Sequence, residues 1–341
     1  MIEKVLLVVT FLLAPGAVQG SCQVDKYQMT CRGKESLHEL KKGEDYSKVD
    51  TLIVHQDKID LTDDLFPKDL NFSPLSLLNV TDNEISRIGR RGFDKIRNVQ
   101  FLYLSNNKID HVQPDPFQAL TRLELLEMDN ALAGTGKEKM ENLRTMFKSK
   151  NQLVDLAKIS LNSNGLDDLQ SKTFCGVRGL KRLELSNNKL DSLDFARSCL
   201  VELKALDLSG NLIEKIPADI WDFLPSLTGF DISNNPLNCD CDTVKLLNAD
   251  DVDFVNQEKT KCASPSELEG KSPFDLPKGY CNAKGNPRGK TSFWQFLILF
   301  VIAIGILYFY KRYRERLSHM TSAPVGYHNL QHEQAVEPEF V

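Results

Sequence analysis

Residues 180–190 read LKRLELSNNKL, and the same order of apolar, polar and asparagine positions returns at 203–213 (LKALDLSGNLI) and 227–237 (LTGFDISNNPL). VQFLYLSNNKI at 99–109 is a fourth clear copy, and weaker ones begin at Val49, Leu75, Leu123 and Leu156. The starts fall at 49, 75, 99, 123, 156, 180, 203 and 227, so the steps are 26, 24, 24, 33, 24, 23 and 24. A period in the twenties means that one short structural unit is stacked on itself, because no single copy can bury its apolar residues alone.

The pattern L-x-x-L-x-L-x-x-N-x-L is that of leucine-rich repeats. It predicts an α/β solenoid, a horseshoe of about eight repeats, each adding one strand to a long parallel sheet. The spaced leucines point inward, and Asn107, Asn164, Asn188, Asn211 and Asn235 can hydrogen-bond the backbone where the chain turns away. Phe93, Phe117 and Phe174 are expected to fill the convex side of the core. The 33-residue step carries an insertion, 133–150, read as an exposed loop leading into a short helix over Glu138–Lys148. With Asn130 one place early, it predicts two packed halves with a disturbed join.

The 341 residues are 41% hydrophobic and 26% charged, which fits neither a disordered chain nor a many-pass membrane protein. The net charge of −5 argues against nucleic acid as a partner. Residues 1–20 read as a secretory signal peptide, with Lys4, an apolar run from Val5 to Ala14 and a small-residue end at Gly20. Residues 292–310 (SFWQFLILFVIAIGILYFY) hold no charge and match a single transmembrane helix, with Trp294 and Tyr308, Tyr310 and Tyr313 near its edges. A signal followed by one span predicts a single-pass type I protein of the plasma membrane. Its ectodomain is expected outside the cell, with a linker at 283–291 and a cytoplasmic tail at 311–341.

Eight cysteines suit an oxidising compartment. Cys22 and Cys31 would close an N-terminal cap over 21–48. Cys175 and Cys199 are each the twentieth residue of consecutive repeats, so stacking brings them about one strand spacing (~5 Å) apart, within reach of a disulfide. Cys239, Cys241, Cys262 and Cys281 follow the last repeat in a C-terminal cap over 238–282.

A solenoid of this kind offers its concave sheet to partners, and the positions flanking the buried leucines are the candidates. Ile53, Leu77, Phe101, Tyr103 and Leu125, with Glu127, would form an apolar and aromatic patch for a protein ligand or co-receptor; Lys158, Arg182, Glu184, Asp207 and Asp231 would follow as a charged strip. Two glycosylation sequons begin at Asn71 and Asn79. The register puts Asn79 on the concave face, so either a partner docks beside a glycan there, or the site is unused, or the binding face lies elsewhere.

In the tail, Tyr327 and Leu330 match a tyrosine-based sorting signal, and Phe340 and Val341 form an apolar terminus of the type PDZ domains take as an added strand. Neither H-E-x-x-H nor G-x-S-x-G occurs, and His38, His55 and His111 are scattered. No enzyme activity, metal or cofactor is expected.

Eight repeats divided by a hydrophilic insertion, NNPLNCDC at the cap, one span and a short tail with Gly326-Tyr327-His328 resemble the trophoblast glycoprotein (Wnt-activated inhibitory factor) group. Family caps of this spacing imply the pairs Cys239–Cys262 and Cys241–Cys281. The resemblance implies a cell-surface protein that dampens Wnt/β-catenin signalling in the cell that makes it. Adhesion between cells, or innate immune recognition with a separate signalling partner, are the alternatives. The sequence departs from the group in having two sequons and a reduced N-terminal cap.

Overall fold

The computed structural model describes residues 20–33, 36–37, 40, 45–55, 58–62, 66, 72–148, 153–248, 252–277, 280–281 and 293–320. The chain divides into two units, Met1–Pro277 and Lys278–Val341, each described by itself.

The first unit is built on one eleven-stranded sheet whose strands follow chain order. They are β1 (Ser21–Asp25), β2 (Gln28–Arg32), β3 (Thr51–His55), β4 (Leu77–Asn79), β5 (Phe101–Tyr103), β6 (Leu125–Glu127), β7 (Lys158–Ser160), β8 (Arg182–Glu184), β9 (Ala205–Asp207), β10 (Gly229–Asp231) and β11 (Asp253–Phe254). Only β1 and β2 are antiparallel; every later neighbour is parallel.

In the three-residue strands the central residue faces the core, and register aligns Met29, Leu52, Leu78, Leu102, Leu126, Ile159, Leu183, Leu206, Phe230 and Phe254 in one buried column, with Val54 a second inward residue in the longer β3. This is the period-2 alternation of a strand, cut to its minimum of one inward residue between two outward ones.

Buried asparagines tie each turn to the one before it. The Asn188 side-chain amide donates to the carbonyls of Leu161 (3.0 Å) and Leu185 (2.9 Å), and its Oδ1 accepts from the N–H groups of Asn164 and Leu166, both 3.0 Å. Asn107, Asn211 and Asn235 repeat the arrangement, donating to Val80, Leu185 and Leu208 of the preceding turns. Asn83 adds a rung by donating to Val54 and Thr81.

The insertion departs from expectation. Leu126 lies opposite Ile159 although 33 residues separate them, so the sheet passes unbroken through the step and no join divides it into halves. The extra residues leave the sheet plane and form α1, Gly136–Phe147, which begins two residues earlier than expected because Thr135 and Glu138 cap it reciprocally.

The helix α1 is packed rather than exposed. It buries Met140, Leu143, Met146 and Phe147, and Phe147 meets Phe174 at 5.6 Å, as Phe93 meets Phe117 at 5.7 Å. Asn142 donates to the Asp110 carbonyl, and Lys139 donates to that of Asn164. The helix is thereby pinned to the turn before it and the turn after it.

Disulfides close both ends and one interior step. Cys22–Cys31 bridges the β1–β2 hairpin, Cys175–Cys199 joins consecutive turns with Cα atoms 4.4 Å apart, and Cys239–Cys262 lies in the C-terminal cap. Cys241 and Cys281 are also disulfide-bonded, and no described cysteine is free. The cap holds a short helix, Cys241–Leu247, whose N-cap Asp240 accepts from the Thr243 N–H at 2.9 Å. It also supplies β11, so the sheet runs one strand beyond the last repeat and ends on a cluster of Trp221, Phe230, Phe254 and Phe274.

In the second unit, Phe293–Met320 forms a 28-residue helix on which Phe300, Val301, Ile302, Ile304, Ile306 and Leu307 are exposed. Among the described residues no helix is both long and apolar enough to cross a membrane. Residues 1–19, 282–292 and 321–341, which carry the expected leader, linker and tail, lie outside the described residues.

Replacing Asn188 with alanine strips the Leu161 carbonyl and the Asn164 and Leu166 N–H groups of their side-chain partner in a buried place, while Leu185 keeps Asn211, a loss of about 2–4 kcal/mol. Lys189→Ala, at an exposed position with ordinary backbone angles, should cost no more than about 0.5 kcal/mol. Urea unfolding of the two variants beside the parent checks the contrast.

Candidate binding face

The outward residues of the strands form two columns on the concave side. One runs Thr51, Leu77, Phe101, Leu125, Lys158, Arg182, Ala205, Gly229. The other runs Ile53, Asn79, Tyr103, Glu127, Ser160, Glu184, Asp207, Asp231. Register thus brings Leu77, Phe101 and Leu125 together on three consecutive strands. Ile53 and Tyr103 stand in the adjacent column, two strands apart with Asn79 between them.

All six expected contact residues are half-buried rather than fully open. Register sets Phe101 beside Leu125 across the ~4.8 Å strand spacing, where neighbouring side chains on one face can shield each other. Glu127 is held by the Ser105 hydroxyl at 2.9 Å, so its carboxylate forms part of the sheet's own hydrogen bonding. The Asn79 side-chain oxygen accepts from the Thr81 N–H at 2.9 Å. Asn71, Tyr327, Leu330, Phe340 and Val341 lie outside the described residues.

From β7 onward the face changes character. Glu184 receives Lys158 at 3.0 Å and Arg182 at 2.6 Å. Burial works to raise its carboxyl, but the hydrogen bonds from Arg182 and Lys158 hold it below the usual carboxylate range. Among the described residues Asp207 meets no such cation: burial, with Asp231 and Glu184 on the neighbouring strands, pushes its carboxyl up, opposed by hydrogen bonds from Ser209. Asp231 accepts from the Asn256 amide at 2.5 Å and the Ser233 N–H at 2.9 Å. Beside these carboxylates, small Ala205 and Gly229 leave a hollow of about 190 Å³ that also touches Arg182 and Val255.

No group of three or more metal-ligating side chains is found among the described residues. Chemically the face offers an apolar half and a half with fixed charges, which suits contact with another macromolecule.

These features define a leucine-rich repeat solenoid, and residues 73–131 and 154–213 match the family model for the leucine-rich repeat. Among solved structures, human 5T4 (Wnt-activated inhibitory factor 1, trophoblast glycoprotein) shares the fold, with a TM-score of 0.64 and 20% identity over 76% of this chain and 96% of that one. Nephrocan of Mus musculus is 23% identical over 222 residues, covering 65% of this chain and 36% of its own length. Lumican of Bos taurus is 30% identical over 138 residues, covering 36% of this chain and 40% of its own. The chain therefore spans well under half the length of these curated relatives.

The raised carboxyl of Asp207 fixes the sign of a pH effect. An aspartate whose folded pKa lies above its unfolded value costs stability while ionised, and that cost disappears as pH falls through the folded value. Asp207→Asn should therefore raise the melting temperature at pH 7, and the gain should vanish by about pH 3, where the parent carboxyl is protonated in both states. Calorimetric scans across that range check it.

Proposed function

We propose that this chain is a cell-surface protein that binds a protein partner through the N-terminal half of its concave sheet. The observation that carries this reading is the run of Leu77, Phe101 and Leu125 on three consecutive strands, with Ile53 and Tyr103 in the adjacent column. Elsewhere along the first column the same positions hold Thr51, Lys158, Arg182, Ala205 and Gly229. Clustered aliphatic and aromatic side chains at outward positions are a cost in water that a contact surface recovers on binding.

Extracellular placement is supported by the disulfide-bonded cysteines, since such bonds persist in oxidising compartments. The 28-residue helix supports a single membrane span: it carries no charge through Tyr310, and Lys311, Arg312 and Arg314 follow at once. The ectodomain then faces outward and the tail inward, where Tyr327 and Leu330 meet a sorting adaptor and Phe340 and Val341 a PDZ domain. A glycan on Asn79 would stand between Ile53 and Tyr103 and narrow the approach to the patch.

The finer reading is dampening of Wnt/β-catenin signalling in the cell that makes the protein. It rests on the resemblance to the trophoblast glycoprotein group, whose crystallised human member bears the name Wnt-activated inhibitory factor 1. Cells carrying a β-catenin reporter and expressing the full chain should show a reduced Wnt response. With Phe101→Glu and Leu125→Glu at matched surface levels, that reduction should be lost. An unchanged response to the parent chain removes the Wnt reading; equal dampening by parent and variant removes the concave patch.

A further inference from the structure

On the flank of the solenoid, residues 87–97 read RIGRRGFDKIR, five bases against one acid within a chain whose net charge is −5. The fold concentrates this charge rather than dispersing it. Arg90, Arg91 and Arg97 line one open hollow of about 430 Å³ together with Asp94, Gln118 and Ala119.

The turn that carries the arginines is held firmly from behind. The Gly89 N–H donates to the Leu61 carbonyl at 2.7 Å, and a Cβ on Gly92 would overlap that same oxygen, so only glycine permits the approach. Gln113 of the following repeat accepts from the Arg90 N–H at 3.0 Å, and the Gln118 amide bonds the Arg90 carbonyl at 3.4 Å.

The guanidinium groups are oriented as well. Arg90 reaches Gln118 at 3.4 Å, Arg91 reaches the Asp94 carboxylate at 3.0 Å, and Arg97 Nε bonds the Asp94 carbonyl at 3.0 Å. One carboxylate thus serves two of the three arginines, while the Arg91 and Arg97 side chains remain 66% and 68% exposed. A planar guanidinium carries five N–H donors in a fork that fits a tetrahedral oxyanion, and among the described lining residues three guanidiniums stand with one carboxylate.

We propose that this hollow is a binding site for a sulfated polysaccharide chain of the glycosaminoglycan type. This rests on the extracellular placement proposed above, which the disulfide-bonded cysteines support; outside cells, sulfated chains are the abundant linear polyanions. Anionic phospholipid is concentrated in the cytoplasmic leaflet, and a flat bilayer does not enter a recess as a single extended chain does. The hollow shares no residue with the outward columns of the main sheet, and its arginines follow the short strand Arg87–Ile88, which pairs with His111–Val112 in a separate two-stranded sheet.

The test uses the full chain in detergent micelles on immobilised heparin, with competition by desulfated heparin and flotation with phosphatidylserine vesicles. The parent should be retained at physiological salt and released by a sodium chloride gradient, as screening predicts. Arg90→Gln with Arg91→Gln and Arg97→Gln should weaken binding about tenfold or more, whereas Lys204→Gln with Lys215→Gln and Lys245→Gln, which removes equal charge elsewhere, should weaken it less than about twofold. Arg90→Glu alone should cost at least about threefold, and it decides the matter if the triple variant does not fold. No retention of the parent, equal losses in the arginine and lysine variants, equal competition by desulfated heparin, or vesicle binding as strong as heparin binding would each overturn the proposal.

Discussion

The side-chain amide of a buried asparagine, reaching to a carbonyl of the preceding turn, is the interaction on which this molecule depends. Most strands of the sheet are three residues long, so each makes too few ladder hydrogen bonds to hold itself in place. The asparagine satisfies the backbone where the chain bends out of the sheet and cannot pair with another strand. With that need met, the leucines between the bends can be drawn inward without leaving polar groups stranded, and no described buried side-chain nitrogen or oxygen lacks a partner.

The same logic explains how the solenoid tolerates its one irregular step. The turn after β6 has Ala131 where its neighbours have asparagine, yet its backbone is not abandoned. Asn164, on the far side of the insertion, accepts from the N–H groups of Ala131 (2.9 Å) and Leu132 (2.8 Å) and donates to the Met128 carbonyl (2.8 Å). Asp129 meanwhile accepts from the Ser160 hydroxyl and the Asn162 N–H, at 2.6 and 2.8 Å. These bonds carry the sheet across residues that leave it, and the outward columns stay in register from the apolar half to the charged half. A contact surface spread over many short strands needs that continuity, since a slip of one residue would turn the outward positions into the core.

Much of this was legible in the sequence because a repeat announces the same environment several times. The leucine positions, the five asparagines from Asn107 to Asn235 and the shared offset of Cys175 and Cys199 all follow from the period. Asn83 is less legible because Thr81 and Asp82 stand where the clear copies have Ser-Asn or Ser-Gly before the asparagine. The strand Asp253–Phe254 lies beyond the last leucine pattern and exists because an open sheet edge accepts it. Burial of α1 was hidden because its charged residues dominate the composition, while four apolar residues at helical spacing do the packing. The arginines of the 87–97 turn were invisible as a group because the repeat pattern assigns that stretch only a connecting role.

Amide hydrogen exchange at the insertion tests the claim of one continuous, asparagine-tied solenoid most directly. In the parent chain, the Ala131, Leu132 and Lys158–Leu161 amides should be protected as strongly as those of Arg182–Leu185. In Asn164→Ala, protection should fall first and furthest at Ala131 and Leu132, 33 and 32 residues away in sequence. Weak protection on both sides of the insertion in the parent, or unchanged exchange at Ala131 and Leu132 in the variant, would contradict it.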